Sequence, residues 1–160
     1  MNKTKLEFNI PRWEDLPEIE LYSDQVLKYL EDYLEPFNTD KSENIITKTM
    51  INNYVKQGVI KPPIKKKYNK SHLAYLFVIC LLKQVYSIGD VKVLIRLALG
   101  VVSIEVSYNK FCDTLEESIK NVFSDTPPES EEIGKARQLL KCATYSYANK
   151  LYVEKTFLNK

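Results

Sequence analysis

Residues 47–60 read TKTMINNYVKQGVI, and this stretch predicts a short helix with a marked beginning and a marked end. Thr47 is a residue type that caps the first turn of a helix, and Ile46 and Ile51 stand at the two positions of a hydrophobic staple. Gly58 occupies the position where helices often end in a left-handed residue. The local signals therefore predict a helix of about three turns, near residues 48–57.

The two faces of this predicted helix differ in chemistry. One side is apolar and consists of Met50, Ile51, Tyr54 and Val55. The other side is polar or basic and consists of Lys48, Thr49, Asn52, Asn53 and Lys56. Threonine and asparagine are short enough to approach base edges, asparagine can pair with adenine through two hydrogen bonds, and lysine reaches phosphates. The pattern predicts either a DNA-reading face or an exposed polar face with no partner.

The chain around this helix is strongly basic. Between Asn44 and Gly89 there is no Asp or Glu, but there are lysines at positions 48, 56, 61, 65, 66, 67, 70 and 83. The whole chain has 23 basic and 21 acidic residues, so this segment carries +8 and the remainder 15 − 21 = −6. Such asymmetry is typical of a segment with a polyanionic partner, most often a nucleic acid, although a solvated lysine-rich surface would have the same composition. The segment contains no Arg, so we expect modest sequence specificity and strong salt dependence.

The residues that follow the helix predict a small two-stranded wing. Val59-Ile60 and Lys67-Tyr68 flank the sequence KPPIKK, which combines a proline break with a lysine cluster. We expect these two short segments to pair as strands over Val59–Tyr68. The cluster Lys65, Lys66 and Lys67 would then follow a phosphate backbone or enter the minor groove.

Helical periodicity predicts an all-α fold for the rest of the chain. Apolar residues recur at spacings of three and four, and we expect helices near 24–35, 48–57, 70–85, 88–99, 104–123 and 127–157. The run Leu73–Leu82 is apolar on every side and should form the centre of the core. Only four glycines and few alternating runs argue against a β-rich fold.

The order of these parts resembles the MerR-type winged helix-turn-helix. In that family a Ser or Thr, a Tyr, and a Gly followed by two hydrophobic residues mark the recognition helix and its exit, and Thr47–Ile60 matches this pattern. The basic-aromatic return Lys66-Lys67-Tyr68 and the opening of the next helix at Tyr86–Val91 match as well. The stretch Leu16–Ile95 also resembles an uncharacterised bacterial domain-of-unknown-function family with such a core. The chain departs from the MerR pattern in lacking an Arg before Tyr54 and in a longer loop before the recognition helix.

The sequence predicts three regions. Residues 1–21 are expected to form an N-terminal arm, residues 22–100 the winged helix-turn-helix domain, and residues 101–160 a helical C-terminal region for dimerisation or effector binding. The long helix predicted at 127–157 has an apolar seam at Ile133, Ala136, Leu140, Ala143, Tyr147 and Leu151. It either folds back on the preceding helix as a hairpin or pairs with a second subunit.

We therefore expect a DNA-binding transcriptional regulator that binds double-stranded DNA as a homodimer. The alternative is a helical protein-interaction module with no DNA-binding activity.

No enzyme, cofactor or metal site is expected, because His72 is the single histidine and Cys80, Cys112 and Cys142 lie far apart with no CxxC pair. The N-terminus has no apolar run of signal-peptide length, and the longest apolar run is too short for a membrane span, so we expect a cytoplasmic location.

Overall fold

The structure, a computed structural model, describes residues 8–99, 102–124 and 132–160, and most of these residues are helical. The helices are α1 Ser23–Leu34, α2 Lys48–Lys56, α3 Lys70–Leu82, α4 Ile88–Leu99, α5 Ile104–Ser124 and α6 Glu132–Thr156. Two short strands, β1 Leu21–Tyr22 and β2 Lys67–Tyr68, and two single-turn 3-10 helices, Trp13–Asp15 and Glu35–Phe37, complete the described elements. The predicted all-α class is confirmed. Five helices agree with their predicted ranges to within three residues, and the predicted start of the last helix at residue 127 lies outside the described residues.

The chain forms two compact units, and the division falls between Glu116 and Glu117 within α5. The first unit is built around α3, whose side chains from Leu73 to Leu82 are apolar on every side. Leu73, Leu76 and Phe77 are completely buried, as predicted for the centre of the core. Helix α1 packs against α3 through an apolar face, since Val26, Leu30 and Leu34 are also completely buried.

The predicted pairing of Val59-Ile60 with Lys67-Tyr68 as a two-stranded wing is wrong. Strand β2 pairs antiparallel with β1, which precedes α1, so that Leu21 lies opposite Tyr68 and Tyr22 opposite Lys67. Val59 and Ile60 are buried but form no strand. The amide of Val59 donates to the carbonyl of Tyr54 at the end of α2, and the two prolines that follow Lys61 have no amide hydrogen. The segment therefore cannot supply the regular row of donors that a strand needs.

The segment around Pro11 and Arg12 is attached to α5 by polar contacts. The guanidinium of Arg12 donates to both carboxylate oxygens of Glu116, at 2.9 and 2.8 Å, and lies 2.9 Å from an Asp113 oxygen. The buried hydroxyl of Tyr108 donates to the carbonyl of Pro11 at 2.7 Å. Both Arg12 and Glu116 are largely shielded from solvent, so this bidentate pair should be among the stronger polar contacts of the unit.

We expect this pair to make stability depend on pH. The hydrogen bond from Arg12 is the main cause that lowers the pKa of Glu116 below its ordinary value of 4.5. The ionised carboxylate therefore contributes stability above pH 4.5, and the contribution is lost as pH falls through the lower folded-state pKa. Replacing Glu116 with Gln should cost about 1–2 kcal/mol at pH 7 and progressively less towards pH 3. Urea denaturation across that pH range measures the difference. A cost that stays constant with pH, or that matches the exposed control Glu105→Gln, would contradict the assignment.

Candidate nucleic-acid interface

Helix α2 begins where the sequence predicts, and its first turn is capped. The backbone amide of Met50 donates to the side-chain oxygen of Thr47 at 3.2 Å, which confirms the predicted cap. The two predicted staple residues, Ile46 and Ile51, are both almost completely buried. The cap and the buried pair together hold the start of α2 against the core.

The end of α2 is equally well defined. Gly58 has a φ of +66°, the left-handed conformation predicted for this position. Its amide donates to the carbonyl of Val55 at 3.0 Å, and the amide of Val59 donates to the carbonyl of Tyr54 at 2.9 Å. These two bonds form a Schellman motif, so the last carbonyls of the helix are satisfied by the chain that leaves it.

Two lysines from other parts of the chain, one directly after α3 and one in α4, fix α2 in place. The half-buried ammonium of Lys83 donates to the carbonyl of Ile45, just before the helix, and burial lowers the pKa of this lysine. Lys92 of α4 donates to the carbonyl of Gln57, the C-cap residue of α2, at 2.8 Å. A cation at this position also interacts favourably with the negative end of the helix dipole. Both ends of α2 are thus anchored to the helices behind it.

The outward face of α2 carries all the side chains that the sequence assigned to it. The exposed residues are Lys48, Thr49, Asn52, Asn53 and Lys56. The opposite side is buried or half-buried, with Ile51 and Tyr54 facing the core. The result is a rigid helix whose solvent face is polar or basic and contains no acidic group.

The lysine cluster lies in a tight turn with an unusual backbone. Ile64 and Lys67 exchange two hydrogen bonds, at 3.0 and 2.9 Å, and the two residues between them are Lys65 and Lys66. Both have positive φ, 50° and 64°, as in a type I′ hairpin turn. Such turns normally contain Asn-Gly, because residues with a Cβ are strained in this conformation. Both lysine side chains are exposed at the tip, and we call these two residues the lysine turn.

Lys67 differs from its two neighbours. It belongs to β2 and is partly buried, and its ammonium lies 5.3 Å from the centre of the Tyr22 ring. Lys70 is similarly engaged, with Glu18 as its ion-pair partner and the Trp13 ring 5.6 Å away. Of the lysines in the basic segment, those that are exposed are Lys48, Lys56, Lys61, Lys65 and Lys66. Lys61, the first residue of the lysine-rich segment 61–67 that the sequence predicts to contact phosphates, is therefore exposed as well. Lys67 and Lys70 are less available, because both are partly buried and already have a partner.

We expect the backbone strain of the lysine turn to be measurable. Replacing Lys65 with Asn and Lys66 with Gly introduces the residues that a type I′ turn favours. The double variant should be more stable than the natural chain by about 1 kcal/mol, measured as a higher denaturation midpoint. The matched control is Lys65→Ala together with Lys66→Ala, which removes the same charges but keeps a Cβ at both positions. A control that gains as much stability as the Asn-Gly variant would show that charge repulsion, not backbone strain, is responsible.

His72 has a structural position next to the lysine turn. The Asn69 amide donates to His72 Nδ1 at 3.1 Å, and His72 Nε2 lies 3.3 Å from the carbonyl of Pro62, to which it can only donate. The side-chain oxygen of Asn69 in turn accepts from the His72 amide at the start of α3. These bonds connect the first turn of α3 to the segment that leads into the lysine turn.

The cysteines are free thiols, and burial raises the pKa of Cys80 to about 12 and that of Cys112 to about 11. Within residues 8–99, 102–124 and 132–160 there is no group of three His, Cys, Asp or Glu side chains placed to hold a metal ion. None of the helices described combines the length and the hydropathy that a bilayer crossing requires.

The fold and the site define a small helical domain with one rigid basic helix and a lysine-tipped turn. Residues 11–111 match the family described as a domain of unknown function (DUF1836). Because this match covers more than half of the chain, the chain belongs to that family. The predicted membership of a domain-of-unknown-function family is thereby confirmed over a wider range than Leu16–Ile95. The family description includes no fold and no activity, so the MerR-like arrangement stays a prediction. Neither the curated proteins nor the solved structures include a significant match.

Proposed function

We propose that this protein is a DNA-binding transcriptional regulator with a MerR-like helix-turn-helix. In this proposal α2 enters the major groove, and the lysine turn contacts the phosphate backbone. The observation that carries the proposal is the outward face of α2, which combines Lys48 and Lys56 with Thr49, Asn52 and Asn53 and no acidic side chain. The major groove of B-DNA is wide enough to admit an α-helix with this composition.

The rigidity of α2 supports the same proposal. A base-reading helix must hold its side chains in register with the base pairs, and α2 has a capped start, a Schellman end and lysine anchors at both ends. Helix α1 packs directly against α2, as the first helix of a helix-turn-helix does. The outward face carries no Arg, the side chain that pairs best with guanine. Asn52 and Asn53 pair best with adenine, so adenine is the base that this face should prefer.

Affinity for duplex DNA at two salt concentrations tests the proposal. Fluorescence anisotropy with the full chain should give binding that weakens with added salt, because each neutralised phosphate releases counterions. The logarithmic slope should be about 0.9 per phosphate contact, so the five exposed lysines predict a slope of up to about 4 to 5. No binding at about 50 mM salt would overturn the proposal and leave the protein-interaction module as the better explanation.

We further propose that two copies associate through the second unit. Large apolar side chains are exposed on α6 and just beyond it: Tyr145, Tyr147, Leu151, Tyr152 and Phe157. Tyr147 and Leu151 belong to the predicted seam, whereas the side chains of its other members lie outside the described residues. Helices α5 and α6 also line a common groove of about 340 Å³, with Val122 on one wall and Cys142 on the other. The hairpin and the dimer are therefore compatible, because α6 can contact α5 and still expose aromatic rings.

Symmetry gives a functional reason for this association. A helix with few base-reading groups gains little discrimination, since each bidentate pair contributes only about 1–3 kcal/mol. Two copies at a fixed spacing read two half-sites and combine that discrimination. We expect the full chain to be a dimer in light scattering at micromolar concentration. A chain truncated after Asp125 should be a monomer, and so should the double variant Tyr145→Ser with Tyr152→Ser. A monomeric full chain, or a dimer that survives truncation, would contradict the assignment.

A further inference from the structure

Helices α3, α4 and α5 surround a mostly apolar cavity of about 110 Å³ inside the first unit. Its walls include Tyr75 from α3, Leu94 and Ile95 from α4, and Phe111 from α5. None of the side chains that line it is charged, and Ala98 lies at its exposed edge. The cavity is separate from the outward face of α2, so the proposed DNA contact does not use it.

One wall group has an unmet hydrogen bond. The hydroxyl oxygen of Ser107 is buried in the cavity wall and has no hydrogen-bond partner within the described part of the chain. The neighbouring hydroxyl of Tyr108 is satisfied, because it donates to the carbonyl of Pro11 at 2.7 Å. A buried hydroxyl without a partner is costly, and most buried polar groups in proteins have one. Ser107 therefore offers a buried polar group in this wall that a bound molecule would satisfy.

The dimensions and the chemistry of the walls restrict the occupant. A dry engineered cavity of roughly 150 Å³ accepts benzene, so a slightly smaller cavity that opens to solvent accommodates one aromatic ring. The rings of Tyr75 and Phe111 offer surfaces against which such a ring packs. A charged group would be desolvated without a counterion and is disfavoured. The occupant that fits is a small uncharged aromatic molecule with one hydroxyl or carbonyl group for Ser107.

The cavity is physically connected to α2 through α4. Helix α4 carries Leu94 and Ile95 into the cavity wall, and Lys92 of the same helix donates to the carbonyl of Gln57 at the end of α2. A molecule that fills the cavity would hold α4 in the position in which Lys92 reaches Gln57. Differential affinity for one arrangement of a helix is the physical basis of an allosteric effect.

We propose that this cavity is an effector site for small uncharged aromatic alcohols or ketones, and that its occupancy tightens DNA binding by fixing α4 and α2. The site itself stands independently of DNA binding, whereas its regulatory effect rests on the proposed function. The two parts are therefore tested by separate measurements.

Phenol is the probe for the site, with toluene and benzoate as comparisons. NMR titration of the full chain should show phenol binding with shifts concentrated at residues 94–98 and 104–111, weaker binding of toluene, and no binding of benzoate.

Ser107→Ala should weaken the affinity for phenol about five- to tenfold and leave the affinity for toluene unchanged, because only phenol uses the hydroxyl. Ala98→Phe should block both ligands, whereas Leu97→Phe, an exposed neighbour outside the cavity wall, should block neither. No localised shift with phenol or toluene up to about 10 mM, or equal binding by the Ala98→Phe variant, would overturn the site.

The regulatory part is measured as DNA affinity with and without saturating phenol. We expect phenol to tighten DNA binding at least about fivefold in the natural chain, the lower end of typical allosteric coupling. Lys92→Met should bind phenol normally but show no such change, because the contact with Gln57 is lost. If phenol binds but DNA affinity does not change, the proposed regulatory effect is rejected and the proposed ligand site stands. Absence of DNA binding under all conditions would reject the proposed function, while the NMR result would still decide the site.

Discussion

Replacing Leu76 with alanine is expected to lower the free energy of unfolding by about 2–5 kcal/mol. Leu76 is completely buried in α3, the helix around which the first unit is built. Its neighbour Phe77 lies edge-on to the rings of Tyr29 and Tyr33, with ring centres 6.1 and 6.0 Å away. Because Leu76 has no exposed surface, its truncation should leave a cavity in the core and not a gap that water can fill.

Urea denaturation followed by circular dichroism measures this loss, and Leu97→Ala is the matched control. Leu97 is the same residue type in a helix of the same unit, but it is 49% exposed, so its truncation should cost no more than about 0.5 kcal/mol. Ile79→Ala should behave like Leu76→Ala, because Ile79 is also completely buried in α3. Equal midpoints for Leu76→Ala and Leu97→Ala would show that α3 is not the stabilising core.

The second large effect is expected at the lysine turn. The double variant Lys65→Asn with Lys66→Gly removes two phosphate contacts, so the logarithmic salt slope should fall by about 1.8. At about 0.1 M salt this corresponds to a loss of DNA affinity of roughly tenfold to a hundredfold, the same for all sequences. Because the same variant is expected to be more stable than the natural chain, weaker binding cannot be attributed to unfolding.

The control for this experiment removes two exposed lysines elsewhere. Lys110→Ala with Lys120→Ala changes the net charge by the same amount at exposed positions of α5, which the proposal does not assign to the DNA contact, and should leave the salt slope unchanged. Loss of affinity in both double variants would show that net charge alone, not the lysine turn, governs binding. Unchanged affinity in the lysine-turn variant would remove the turn from the interface.

Asn52→Ala and Asn53→Ala should produce a different pattern from the lysine variants. An asparagine that pairs with adenine contributes about 1–3 kcal/mol of discrimination but neutralises no phosphate. These variants should therefore flatten the preference among DNA sequences while keeping the salt slope. The contrast separates the two roles that the proposal assigns, base reading by α2 and phosphate contact by the lysine turn.

The features that could be predicted from the sequence are those whose partners lie within a few residues along the chain. The Thr47 cap bonds to Met50 three residues on, and the left-handed Gly58 closes its bonds with Val55, so residue types and short spacing are sufficient signals. The burial of α3 follows from a run that is apolar on every side. The exposed face of α2 follows from the period of the helix, which places its polar residues opposite its apolar ones.

The features that only the tertiary structure decided depend on contacts between distant parts of the chain. Strand β2 pairs with β1 across more than forty residues, and no local pattern distinguishes that partner from Val59-Ile60. The left-handed lysines at 65 and 66 have the wrong residue types for their turn, and the pairing around them imposes the conformation. Lys83 and Lys92 look like ordinary surface lysines in the sequence, yet they anchor the two ends of α2 across 38 and 35 residues. A sequence records which groups a residue offers, whereas the long-range packing of the chain determines which partner each group meets.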